Sequence, residues 1–173
     1  MTSKIKEILN KQINEELYSS FLYLAMAAFL EKRGFKGAAN WMNIQAKEEN
    51  DHAMGFFRFL LERGEEPVLE AIAKPDISKI KNLKDVFDAA LAHEQHITAS
   101  INNIHALARE EKDPALESFI KWYVDEQVEE EANAMEIIDK LTIVNNEGAA
   151  IYMIDQELKA RTYTASGPYT TTA

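Results

Sequence analysis

The chain has 173 residues, no cysteine and a formal net charge of −10. That length suits a single domain over 1–173 with a substantial core, and the lack of cysteine excludes disulfides, zinc fingers and iron–sulfur clusters. The acidic balance argues against nucleic acid as a partner and for cations, while the absence of a membrane-length apolar run or an apolar leader in MTSKIKEILNKQ leads us to expect a cytoplasmic protein with no membrane partner.

Helical periodicity runs almost throughout. A first helix is predicted from about Ser3 to Arg33, stopping at Gly34, and a second from about Gly37 to Arg63, stopping at Gly64. Residues 65–82, with Pro67 and Pro75, have no clean period and read as a crossover loop. A third helix follows Asn82, a plausible N-cap, and reaches about Glu111. Asp113-Pro114 reads as N-cap and first residue of a fourth helix, which runs to about Val144. A short fifth helix covers about 147–161, and the polar tail 162–173 has no helical pattern. The expected fold is an all-α four-helix bundle over 3–144 built from two antiparallel hairpins. The loop between them is too long for a neighbouring-helix turn and long enough to travel the length of the bundle.

The apolar stripes carry the chemistry, because each is interrupted near its middle by a carboxylate. Helix one reads Leu9, Ile13, Glu16, Ser20, Tyr23, Ala27; helix two reads Met42, Gln45, Glu49, His52, Phe56. Helix three reads Phe87, Ala90, Glu94, Ile97, Ile101; helix four reads Ile120, Tyr123, Gln127, Glu130, Ala134. A buried carboxylate is costly unless it is paired or holds a metal. The interruptions are also level. The midpoint of Glu16 and Glu49 falls at the Arg33-Gly34 turn, and that of Glu94 and Gln127 falls at the Glu111–Pro114 turn. A shift of 78 residues lays Glu16 on Glu94, Glu49 on Gln127, His52 on Glu130 and Glu48 on Glu126. One Glu on each of two helices plus an i, i+3 pair on each of the other two is the di-iron carboxylate arrangement. Glu16, Glu49, Glu94 and Glu130 together balance the charge of two ferrous ions. Such oxygen ligands with one imidazole suit iron, and open coordination positions would admit O2 or H2O2.

The segments NEELYSSFLYLAMA, NWMNIQAKEENDHA, LAHEQHIT, FIKWYVDEQVEEEA and IYMIDQELKAR resemble those of prokaryotic non-haem ferritins, over about residues 4–161. The resemblance implies a cage, usually of 24 subunits, that oxidises ferrous iron and stores it as a ferric oxide-hydroxide mineral. It implies a first iron site at Glu16, Glu49 and His52, with Glu49 bridging, and a second at Glu94 and Glu130 with Gln127 nearby. Tyr23 takes the place of the tyrosine beside the site, and a third iron site falls on Glu48, Glu126 and Glu129 with shared Glu130. Bacterioferritins carry a haem-ligating Met where this chain has Asn50, and Glu-x-x-His in the fourth helix where it has Gln127-x-x-Glu130, so no haem is expected. Mini-ferritins build their site between subunits and usually lack a fifth helix; a catalytically idle cage subunit would lack the ligand set. The bland alternatives are an interhelical polar network for the ligand set, a solvated face for Glu129-Glu130-Glu131 and core packing for Tyr23. His93, His96 and His105 read as surface or interface residues, and Trp41 and Trp122 as bundle packing.

Overall fold

The computed structural model describes residues 1–145 and 148–170. Five helices follow one another and there is no strand among the described residues: α1 (Ser3–Lys32), α2 (Lys36–Glu62), α3 (Leu83–Glu110), α4 (Pro114–Ile143) and α5 (Gly148–Leu158). Three starts are capped as their sequences imply. The Thr2 hydroxyl accepts from the Ile5 amide at 3.4 Å, the Asn82 amide oxygen from Asp85 at 3.0 Å, and Asp113 from Leu116 at 3.1 Å, with Pro114 in the first turn of α4. Gly34, at φ +88°, provides the left-handed residue that reverses the chain between α1 and α2.

The α1–α2 and α3–α4 pairs form hairpins, and α1 also packs against α3. The 65–82 connection travels along α1. Glu65 pairs with Lys6, the Val68 amide donates to Asn10 Oδ1 at 2.7 Å, and Asn14 donates to the Ala71 carbonyl. Ile77 and Ile80 then join the apolar cluster around Met26 and Leu30 at the other end of α1. Arg63 ties the ends of the hairpins together through a two-pronged ion pair with Asp113, at 2.9 and 3.0 Å.

The core is split in two. One cluster gathers Leu22, Met26, Met42, Phe87 and Leu141; the other gathers Leu9, Ile13, Phe56, Ile101 and Ile120. The gap between them holds residues 16, 49, 52, 94, 127 and 130, all buried. A polar layer thus crosses the middle of the bundle where the interrupted stripes place it.

The helix bounds differ in detail from the sequence expectation: α2 starts one residue early, at Lys36, and α2 and α3 each end one residue early, at Glu62 and Glu110. α1 stops at Lys32, one residue early, and α4 at Ile143. α5 ends at Leu158 rather than continuing to residue 161, because the chain turns at Lys159 and Ala160 and Arg161 leaves toward α2. The expected start of this helix at 147 lies outside the described residues, as do the tail positions 171–173. Tail residues 162–170 are held against α2 and α4. The Tyr163 hydroxyl donates to Asp51 at 2.5 Å, the Tyr169 hydroxyl donates to Glu62 at 2.7 Å, and Arg58 stacks on the Tyr169 ring.

Candidate metal centre

Helical spacing presents Glu49 and His52 on the inner face of α2, one turn apart, and hairpin geometry brings Glu16 of α1 level with them. One ligand atom from each of Glu16, Glu49 and His52 lies within 4.8 Å of the others, and all three residues are buried. His52 is oriented from outside. Its Nδ1 lies 3.5 Å from Glu49 Oε2, and its Nε2 lies 3.4 Å from the Ser166 hydroxyl. Ser166 in turn donates to Glu126 Oε1 at 3.0 Å. A proton on Nε2 directed at Ser166 leaves the Nδ1 lone pair facing the carboxylates, as a ligating imidazole requires. The Tyr123 hydroxyl donates to the His52 carbonyl at 2.8 Å, which Gly55 permits: a Cβ there would sit 2.1 Å from the Tyr123 hydroxyl oxygen.

Glu94 faces this group from α3. Its Oε1 accepts from the Tyr23 hydroxyl, and its Oε2 accepts from Gln127 Nε2 at 3.0 Å. Glu130 accepts from Gln45 Nε2, which also reaches Glu49 Oε1 at 3.3 Å. Gln12 Nε2 donates to Glu16 Oε1 at 2.9 Å, and Gln12 Oε1 accepts from Ser100. Amides, a phenol and an imidazole therefore surround the carboxylates, with no lysine or arginine bonded directly to Glu16, Glu49, Glu94 or Glu130 among the described residues.

The electrostatics follow. Burial raises the pKa of Glu16, Glu49, Glu94 and Glu130, and their mutual repulsion raises those of Glu16, Glu49 and Glu130 further. Tyr23 is likewise pushed well up by burial and by Glu94, so it remains a proton donor. One oxygen, Glu16 Oε2, is buried with no hydrogen-bond partner. A buried carboxylate oxygen without a donor is rare and costly. Beside two further ligand atoms, it fits a cation-binding group better than a finished polar network.

The other sequence candidates lie around this layer. Glu48, raised by burial and opposed by a cation, pairs with Arg161 at 2.5 Å. Glu126 is engaged by Ser166, and Glu129 is exposed. His93 is held neutral, its pKa lowered to about 4 by burial and by His96; its Nε2 lies 2.7 Å from Ser19 Oγ. Trp41 packs edge-on against Phe87, and Trp122 lies edge-on beside His52. Sequence reasoning passed over Gln12 and Gln45 as supporting groups. Their signal is present, since each stands four residues before a carboxylate of the polar layer, at Glu16 and Glu49. Arg161 and Ser166 carry no such signal.

Residues 6–144 match the family model of the ferritin-like domain. The chain belongs to the ferritin family. It is 38% identical over 158 residues to a bacterial non-haem ferritin-like protein of Haemophilus influenzae, spanning 91% of this chain and 95% of that one. It is 35% identical over 163 residues to the bacterial non-haem ferritin of Staphylococcus aureus, at 94% and 98% coverage. Among solved structures it resembles the open-pore ferritin of the archaeon Archaeoglobus fulgidus, with 41% identity, a TM-score of 0.91, and 94% and 99% coverage. An engineered closed form of that ferritin superimposes at a TM-score of 0.92. Iron storage and the four-helix bundle with a short C-terminal helix accord with this ferritin kinship. No helix among the described residues is long and apolar enough to cross a membrane.

Proposed function

We propose that this ferritin oxidises Fe(II) to Fe(III) at a paired-iron centre within each subunit and stores the product as a ferric oxide-hydroxide mineral inside a cage of its own copies, 24 by family resemblance. The observation that supports it most is the buried group of Glu16, Glu49 and His52 with its partnerless Glu16 oxygen. In this reading Glu16, Glu49 and His52 take the first Fe(II), and Glu94 and Glu130 take the second. Glu49 bridges the two ions, and Gln127 and Tyr23 orient Glu94. Each ion gives up one electron. O2 with two protons takes the pair as H2O2, or H2O2 with two protons takes it as two water molecules. No haem takes part, since Asn50 stands where haem-binding relatives carry Met.

Charge gives the direction of flow. Four carboxylates match two Fe(II), but two Fe(III) leave two positive charges in excess within a low-dielectric layer. That excess favours hydroxide uptake and departure of iron toward the acidic flank of Glu48, Glu126 and Glu129, the third iron site of this reading. Aerobic addition of Fe(II), followed by ferric absorbance and light scattering, tests the proposal. It predicts rapid saturable oxidation by a particle many times the 19.7 kDa chain, with no Soret band before iron is added. Oxidation no faster than in buffer, or a monomeric mass, refutes it.

A further inference from the structure

We infer that Arg161 is a positioning residue of the metal centre, acting through the side-chain amide of Gln45. This rests on the paired-iron reading above. Gln45 is fully buried and lies between the two halves of the centre, its Nε2 donating to Glu49 Oε1 on α2 and to Glu130 Oε2 on α4. An amide can turn by 180° and exchange its oxygen and nitrogen. In that flipped state its oxygen would face two carboxylates. Arg161 forbids the flip, because its Nη1 lies 2.8 Å from Gln45 Oε1 and a guanidinium can only donate. The amide nitrogen is thereby committed to Glu49 and Glu130.

The guanidinium is itself held on every side. It lies 4.4 Å from the centre of the Trp41 ring and donates to the Trp41 carbonyl at 3.5 Å, while its Nη2 pairs with Glu48. Trp41, Gln45 and Glu48 form one stripe along α2, at spacings of four and three. The Arg161 backbone is anchored as well, its carbonyl accepting from Asn40 Nδ2 at 3.0 Å. Behind it, α5 is seated on α2 by the Asp155 carboxylate, which accepts from the Ala38 amide at 2.9 Å. The C-terminal segment thus reaches over α2 and fixes the orientation of carboxylates that it does not touch.

The test measures anaerobic Fe(II) binding, with thermal stability and native mass recorded for every variant. Groups that orient metal ligands typically change metal affinity 10- to 100-fold. Arg161→Ala and Gln45→Ala should each weaken Fe(II) binding about ten-fold, and the double variant should bind no more weakly than Gln45→Ala alone. Arg161→Lys keeps the charge beside Glu48 but has no second nitrogen to span Gln45 and Glu48. It should therefore recover thermal stability while leaving affinity low. Wild-type affinity in Arg161→Ala, or losses that multiply in the double variant, overturns the inference. Recovery of affinity by Arg161→Lys also overturns it, by reducing Arg161 to a charge. A wild-type chain that binds no Fe(II) overturns the metal centre itself, and the positioning role with it.

Discussion

Gly37→Ala is a one-methyl test of how α5 holds its place. Gly37 is the second residue of α2, and a Cβ built there meets the Asp155 carbonyl oxygen at 1.6 Å, its carbon at 2.6 Å and the Lys159 amide at 2.9 Å. All three are backbone atoms, so no side chain can rotate away and α5 itself must move. Restoring van der Waals contact requires a shift of roughly 2 Å. That shift exceeds what the 2.9 Å bond from Ala38 to Asp155 can absorb, and losing a bond of this type costs about 2 kcal/mol. Partial exposure of the buried Ile154 and Leu158 adds about 1 kcal/mol each. A total near 4 kcal/mol weakens docking of α5 about a thousand-fold, at 1.4 kcal/mol per decade, without touching the apolar cluster of Leu9, Ile13, Phe56, Ile101 and Ile120 at the bundle's far end. Hydrogen exchange read by mass spectrometry should therefore show protection lost in 148–161 and retained in α1 and α3. Unchanged protection in 148–161 would refute the close-approach argument.

Two further predictions concern the polar layer. Because Glu16, Glu49, Glu94 and Glu130 have raised folded-state pKa values, the metal-free native state holds protons that the unfolded chain releases above about pH 4.3. Metal-free stability should accordingly fall as pH rises from 7 toward 8, above the range in which His93, its pKa lowered to about 4, acts with the opposite sign. The depressed carboxyls, such as Asp113 and Glu65, act only at lower pH and do not reverse the trend. Bound Fe(II) should displace these protons and stabilise more strongly at higher pH; thermal melts with and without metal check both signs, and a metal-free melting temperature that climbs over this range contradicts the account. The triple variant Glu48→Ala/Glu126→Ala/Glu129→Ala, which also removes the carboxylate partners of Arg161 and Ser166, should bind the first two irons per subunit more weakly but still oxidise them when Fe(II) is in excess, and should change O2 consumed per iron and onward transfer. Unchanged stoichiometry and turnover in oxygen-electrode measurements would reduce those residues to a solvated acidic face.

The bundle and its polar layer were legible for one reason: a buried carboxylate in an apolar stripe is expensive, so it stands out from its neighbours. Levelness about the hairpin turns then places Glu16 with Glu49, and Glu94 with Gln127, from the sequence alone. The crossover was readable as a loop, and contacts from Lys6 to the Leu30 cluster supply its path. What lay hidden depends on partners far apart in sequence. Arg161 meets Gln45 across 116 residues and Ser166 meets His52 across 114, and neither segment has a period that announces its partner. The end of α5 is hidden in the sequence for the same reason. KAR is acceptable helix sequence, yet the helix stops at Leu158, where Asn40 holds the Arg161 carbonyl and the guanidinium reaches Gln45 on α2.

The paired-iron claim is tested most directly at Glu94, the single carboxylate that α3 places in the layer. In Glu94→Gln the Tyr23 hydroxyl keeps an acceptor, but the new amide nitrogen faces Gln127 Nε2, which already donates to the Glu94 carbonyl at 3.2 Å. One hydrogen bond, about 1 kcal/mol, is lost. Removal of a buried repelling charge offsets it, so the variant should fold and assemble. The first iron should still bind through Glu16, Glu49 and His52, while the second loses its anionic ligand from α3. Stopped-flow oxidation at two Fe(II) per subunit should then show the fast two-electron phase slowed at least a hundred-fold, on the order of 3 kcal/mol. Oxidation of Glu94→Gln at the wild-type rate would contradict the paired-iron mechanism.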